Sequence, residues 1–164
     1  IMLFYPESAI VNRGNNHLLI FCRPQQRTRN LPDAWTAPVA ESEDGGETWT
    51  TLSLSNFPLA PSQPFAGRLS TGHNYLLTNR ISIEGGRSLL SIALTDPDGG
   101  LFKHIFKVRH QEWPRRRLFA NNFGCSTEWS YPNAFEHDGN LYIAYTQGKE
   151  DCVLSIIPIE ALAV

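Results

Sequence analysis

Three observations predict an all-β fold. Three segments repeat one plan, in which an apolar run, a glycine turn and a strongly apolar strand follow one another. They are Ala9-Ile10-Val11 with Gly14 and Leu18-Leu19-Ile20-Phe21; Phe65-Ala66-Gly67 with Gly72 and Tyr75-Leu76-Leu77; and Asn133-Ala134-Phe135 with Gly139 and Leu141-Tyr142-Ile143-Ala144-Tyr145. Two apolar runs flanking a short glycine-containing turn are the pattern of a β-hairpin. Each hairpin is followed by a third strand candidate, around Ala37 to Glu41, Ser88 to Leu94 and Val153 to Pro158. Eleven prolines and the scarcity of helix-period patterns agree. Repeats of roughly 40 to 50 residues built from short strands and glycine turns predict a β-propeller with one blade per repeat. The 164 residues then form a single unit of about three blades, near 5–55, 63–110 and 129–160.

The end of the first repeat is the most specific stretch, Ser42-Glu43-Asp44-Gly45-Gly46-Glu47-Thr48-Trp49. Ser42 and Asp44 are placed to hydrogen-bond the backbone of a tight turn, Gly46 to take positive φ, Thr48 to complete the pattern and Trp49 to pack between blades. The second repeat ends in Asp96-Pro97-Asp98-Gly99-Gly100, a decayed copy of the same turn. The closing stretch Ile159 to Ala163 fits a helical turn or a closing strand, and periodicity does not separate the two.

A content of 41% hydrophobic and 18% charged residues suits a soluble domain with a core and argues against disorder. A net charge of −2 gives no electrostatic reason to expect nucleic acid. The one dense basic run, Arg115-Arg116-Arg117, reads as a solvated loop. No stretch approaches the roughly 20 apolar residues of a membrane span, and no leader pattern opens the chain, which leaves the compartment open. Cys22, Cys125 and Cys152 are odd in number and widely spaced, so neither a zinc site nor a disulfide framework is expected. Cys22 and Cys152 lie in apolar runs and read as small buried hydrophobes. His17, His73, His104, His110 and His137 are scattered without ligand spacing.

Aligning the repeats gathers polar residues where each blade's innermost strand begins. These are Glu7 before Ser8-Ala9, Gln63 before Pro64-Phe65, and Tyr131 before Pro132-Asn133. Arg23 ends the apolar strand Leu18 to Cys22 and Arg87 opens Ser88 to Ile92. Two arginines at strand ends around one axis can hold a carboxylate through bidentate hydrogen bonds. Bland readings compete with each: Tyr131 as a packing aromatic, Arg23 as a partner of Glu41, Glu7 as a solvated acid and Arg87 as part of a polar turn. Among Trp35, Trp113 and Trp129, the last stands two residues from Tyr131 and is the one expected near a site.

The turn at Ser42, Asp44, Gly46, Thr48 and Trp49 fits the Asp box, and the order Glu7, Arg23, Arg87, Tyr131 resembles the C-terminal half of the sialidase (neuraminidase)-like BNR propellers. The similarity covers nearly the whole chain and extends to the tail Tyr142 to Asp151. It implies a glycoside hydrolase fold of six blades. By that resemblance Tyr131 matches the nucleophile, Glu7 the glutamate that activates it, and Arg23 and Arg87 the second and third arginines of a triad that binds the substrate carboxylate, with Gln63 and Trp129 as candidate sugar contacts. Two departures stand out. Pro132 follows the tyrosine, and no residue matches the family's first arginine or its acid/base aspartate.

What the resemblance implies is release of a terminal sialic or related acidic sugar with retention of configuration. A carboxylate on the anomeric carbon repels an anionic nucleophile, whereas a neutral tyrosine can attack it. Neither a cofactor nor a metal is expected. The expected partners are a glycan and, since three blades leave two sheet faces unpaired, either further copies or an N-terminal half that closes the ring. Asp33 and Glu43 are the carboxylates a second copy would offer as general acid. The alternatives are a carbohydrate-binding or scaffold propeller without catalysis, and a neutral-sugar hydrolase or lyase on the same fold.

Overall fold

The computed structural model describes residues 7–23, 36–60, 62–79, 87–97, 99–110, 128–148 and 151–164. Trp35, Trp113, Asp33, Asp98, Cys125 and the run Arg115 to Arg117 lie outside them. The described chain forms three antiparallel sheets that stack as propeller blades. The first contains β1 (Ser8–Gly14), β2 (His17–Cys22), β3 (Thr36–Ser42) and β4 (Ser53–Pro58) in that order. The second contains β5 (Phe65–Arg68), β6 (His73–Asn79), β7 (Leu89–Pro97) and β8 (Phe102–His110). The third contains β9 (Trp129–His137), β10 (Asn140–Gln147) and β11 (Asp151–Pro158), three strands among the described residues. The closing stretch is a 3-10 helix at Ile159–Leu162, so the helical alternative holds there. Among the described residues no helix is long and apolar enough to cross a membrane.

The middle blade explains the chain's most apolar runs. From Asn74 to Asn79 every residue of β6 is buried, because both faces of the sheet are covered. Leu76 and Ala93 face the first blade, where Val11, Phe21, Ala37, Phe57 and Phe102 complete one core. Phe102 sits 5.5 Å from Phe21 and 5.7 Å from Phe57, so three rings fill the space left by the small residues. Tyr75, Leu77, Leu90, Ile92 and Leu94 face the third blade and meet Trp129, Leu141, Ile143 and Tyr145. Gly67 admits the Tyr75 ring, since a Cβ there would come within 2.5 Å of the phenolic oxygen.

The third blade shows the opposite pattern. Burial along β10 alternates, with Leu141, Ile143 and Tyr145 buried and the residues between them half-buried. Its far face displays Phe135, Leu154 and Ile156, and Phe135 stacks on Tyr142 at 5.1 Å. Cys152 belongs to β11 and is exposed, which corrects its expected burial: the apolar run around it supplies both sides of a sheet covered on one side only. Cys22 is buried as expected, and burial raises its thiol pKa.

Inter-blade bonds fix the strand directions. Arg68 Nη1 donates to the Arg13 carbonyl at 3.5 Å, and the Ser70 amide donates to a Glu136 carboxylate oxygen at 2.8 Å. These residues lie at the ends of β1, β5 and β9, the strands that adjoin one another across blades. The ends of the inner strands therefore share one rim, and their beginnings share the other.

Truncating the fully buried Ile143 to alanine is expected to cost about 2–5 kcal/mol in urea denaturation. Phe135→Ala, on the open face, is expected to change stability by no more than about 0.5 kcal/mol. Equal losses would contradict the assignment of the two faces.

Candidate functional site

The two rims carry different residues. Antiparallel pairing makes β3 run parallel to β1, so the turn after β3 lies at the rim where the inner strands end. The Gly45 amide accordingly bonds the Asn16 carbonyl of the β1–β2 turn at 2.8 Å. Within this turn the Ser42 hydroxyl donates to Asp44 at 2.8 Å and accepts from the Gly46 amide at 2.8 Å. Asp44 accepts the Thr48 amide at 2.9 Å and also the Thr48 hydroxyl. The Trp49 indole donates to the Gly46 carbonyl at 2.9 Å. Gly46 has φ +99°, a conformation that glycine adopts without strain. Trp49 packs beside Ile20, Cys22 and Ala40 on the face of the first blade turned away from the second. The Thr48 hydroxyl and amide and the Ser42 hydroxyl hold the Asp44 carboxyl down to about 2.

The opposite rim gathers the candidate chemistry. Glu7 precedes β1, and Arg23 follows β2 directly across the hairpin, where the Arg23 amide donates to the Glu7 carbonyl at 2.8 Å. Their side chains also pair, Arg23 Nη1 to Glu7 Oε2 at 2.7 Å, with about a quarter of each exposed. The alternative partner for Arg23, Glu41, faces His17 at 3.2 Å instead. Antiparallel pairing brings the start of β7 to this rim too, and Arg87 stands two residues before it.

Arg87 and Tyr131 form the second pair. The Arg87 guanidinium carbon lies 5.3 Å from the Tyr131 ring centroid, within cation–π range. Tyr131 reaches this position because β9 breaks its ladder there. Ala144 pairs with Asn133 and Thr146 with Ser130, so Tyr131 and Pro132 together oppose Tyr145. Proline has no amide to give to the ladder, and the residue before it is normally extended. Tyr131 instead has φ +54°, in the left-handed region that a bulky residue rarely occupies. The result is a half-exposed phenol turned off the sheet, and backbone strain of this kind concentrates at functional sites. Arg87 Nη1 is buried and has no partner among the described residues.

Trp129 does not present a sugar-stacking face. Its ring is buried in the core between the second and third blades, since strand alternation turns it toward blade two. What it contributes at this rim is its backbone: the Trp129 amide donates to the Arg87 carbonyl at 3.2 Å. Gln63 is half-buried just before β5 and has no hydrogen-bond partner among the described residues. No hydrogen bond joins Glu7 to Tyr131, so the rim holds two separate pairs, Glu7 with Arg23 and Arg87 with Tyr131. Among the described residues no three His, Cys, Asp or Glu side chains come together as metal ligands do.

Nothing in the sequence marks Asn79, at the end of the apolar run of β6. Its side chain is fully buried behind this rim and donates toward the carbonyls of Trp129, Leu89 and Arg87 at 2.7, 3.3 and 3.4 Å. An amide closing a strand is the only sequence signal it gives, and such residues usually cap turns.

Two consequences can be measured. The Asp44 carboxyl is depressed from an unfolded value of about 4, so the stability it contributes is complete above about pH 4 and is lost as pH falls through about 2. A carboxyl NMR titration should place its midpoint near 2, and Asp44→Asn should remove this part of the acid dependence. At Tyr131, asparagine tolerates positive φ better than tyrosine. Tyr131→Asn should therefore leave stability unchanged or raise it by about 1 kcal/mol in thermal denaturation, and a loss above about 2 kcal/mol would contradict the assignment of strain.

The sequence of residues 7–143 matches the family model described as BNR repeat-like domain. The structure is similar to the intramolecular trans-sialidase from Ruminococcus gnavus, with a TM-score of 0.67 and 16% identity over 96% of this chain and 33% of that one. It is similar to the α-L-arabinofuranosidase Arb93A from Fusarium graminearum, with a TM-score of 0.61 and 14% identity over 93% of this chain and 45% of that one. It is similar to the NanB sialidase from Streptococcus pneumoniae, with a TM-score of 0.61 and 15% identity over 93% of this chain and 23% of that one. The chain thus spans less than half the length of each of these enzymes. No curated protein matches it in sequence. At these identities the structures carry the fold alone, and the match over residues 7–143 makes the chain a member of the BNR repeat-like domain family.

Proposed function

We propose that this protein forms part of a retaining exo-α-sialidase-like site that releases a terminal sialic or related acidic sugar from a glycan. The observation that carries the reading is the Arg87–Tyr131 stack, a buried guanidinium edge without a hydrogen-bond partner among the described residues beside a strained, accessible phenol. An unsatisfied buried guanidinium is costly and is matched best by a carboxylate, which accepts two parallel hydrogen bonds from it.

In this reading Tyr131 is the nucleophile. Its phenolic oxygen bonds to the anomeric carbon as the glycosidic bond breaks, and its proton passes to Glu7. Glu7 has one carboxylate oxygen on Arg23 and the other available, so Arg23 both orients the base and adds positive charge for the substrate carboxylate. Water then cleaves the tyrosyl glycoside intermediate at its anomeric carbon as Glu7 returns the proton to the departing phenolate, giving net retention. Because Glu7 and Tyr131 are not in contact, substrate binding must draw them together, as catalytic hydrogen bonds commonly tighten only in the complex.

The leaving-group oxygen needs a proton, and no residue here matches the family's acid/base aspartate or its first arginine. The reading therefore places both groups on additional blades, supplied by a longer polypeptide or by another copy of this chain packed on the open faces. The exposed Phe135, Leu154 and Ile156 suit such packing.

The test is a fluorogenic sialoside assay run on the light-scattering peak of the purified protein. Glu7→Gln is expected to lower kcat by about 10²–10⁴-fold. Tyr131→Phe should abolish turnover while the product sugar still binds. Sugar binding without turnover in both proteins, when the peak is an assembly of copies, would favour a carbohydrate-binding propeller over an enzyme, whereas an inactive monomer would place the missing groups on a longer polypeptide.

A further inference from the structure

Asn79 joins two segments that the site needs to hold in register. It closes β6 opposite Leu90, with its side chain fully buried. Its amide nitrogen lies 2.7 Å from the Trp129 carbonyl in the third blade, and 3.3 and 3.4 Å from the Leu89 and Arg87 carbonyls in the second. A primary amide has two hydrogens, so the short bond takes one and the other is shared between Leu89 and Arg87. Three carbonyls fix the orientation of the amide, because the reversed side chain would set its oxygen against all of them.

The neighbours make this bridge more than a local cap. The Arg87 carbonyl also receives the Trp129 amide at 3.2 Å, and the Asn79 carbonyl accepts the Ala60 amide at 2.9 Å, which brings in the link between the first two blades. Arg87 carries the guanidinium, and Trp129 stands two residues before Tyr131. The bridge therefore secures the backbone on both sides of the 5.3 Å stack. The fold gets little else from the amide: its oxygen is buried without a partner among the described residues, inside a region otherwise filled by Leu77, Leu90 and Trp129. An apolar side chain would leave no such orphan but would release the three carbonyls.

We propose that Asn79 is a positioning residue that sets the geometry of the Arg87–Tyr131 pair across the junction of two blades. The assignment of that pair to the substrate site rests on the function proposed above, whereas the clamp itself does not.

The experiment separates the two. The protein is prepared with ring-labelled tyrosine, and the Tyr131 resonance among the five tyrosines is assigned by its loss in Tyr131→Phe. Arg87→Ala supplies the unstacked reference. In Asn79→Ala the Tyr131 resonance is expected to move to that reference. In Thr78→Val, which alters an equally buried neighbour in the same strand, it should stay at its original position. Should Asn79→Ala fail to fold, Asn79→Ser provides the same comparison with a smaller cavity. A Tyr131 resonance unmoved in the Asn79 variant, or moved as far in Thr78→Val, overturns the proposal. With a sialoside, kcat of the Asn79 variant should fall by about 10–100-fold while KM changes less. Absence of turnover in the unsubstituted protein would count against the proposed function and leave the resonance test to decide the clamp.

Discussion

The parallel course of three inner strands, β1, β5 and β9, is the constraint on which the rest of the structure depends. Bonds from Arg68 to Arg13 and from Ser70 to Glu136 tie their far ends, so their beginnings converge whatever the outer strands do. Glu7, Gln63 and Tyr131 are far apart in sequence and come to one rim for this reason. The same alternation sends Arg23 to that rim at the end of a second strand and Arg87 there at the start of a third. No loop has to fold back to bring them, and sites carried on strand ends are more rigid than sites carried on loops.

Stability and candidate chemistry are consequently divided between the rims. The turn from Ser42 to Trp49 closes on itself, with the Asp44 carboxylate held by Ser42 and Thr48. The other rim is less settled. Tyr131 keeps positive φ, and among the described residues neither a buried Arg87 nitrogen nor the Asn79 side-chain oxygen has a hydrogen-bond partner. Each of these costs free energy in the folded chain, and all three lie within the same junction of the second and third blades.

Much of this was legible in the sequence, for identifiable reasons. Hairpins around Gly14, Gly72 and Gly139 announce themselves because apolar runs and turn glycines are local signals. The Asp44 turn does so because all of its bonds close within eight residues. Burial was harder. Cys152 sits in an apolar run but on the sheet's uncovered side, and Trp129 stands near the site yet turns its ring into the core. Both depend on which face of a strand a neighbouring blade covers. Least legible were the tertiary pairings: that Glu7 is held by Arg23 without touching Tyr131, that Pro132 displaces Tyr131 from its ladder, and that Asn79 spans two blades. The first and third arise from contacts between residues 16 and 50 positions apart, which no local pattern encodes, and the second shows only once the pairing of β9 with β10 is in view.

The central claim is that this rim recognises a sugar through its carboxylate. Titration calorimetry with an unsaturated sialic acid analogue and its methyl ester tests it most directly, because the ester removes the charge at the cost of one added methyl group. The account predicts that the free acid binds and that the ester binds at least about tenfold more weakly, a difference near 1.4 kcal/mol. Equal binding of acid and ester, or binding of the ester alone, would contradict it.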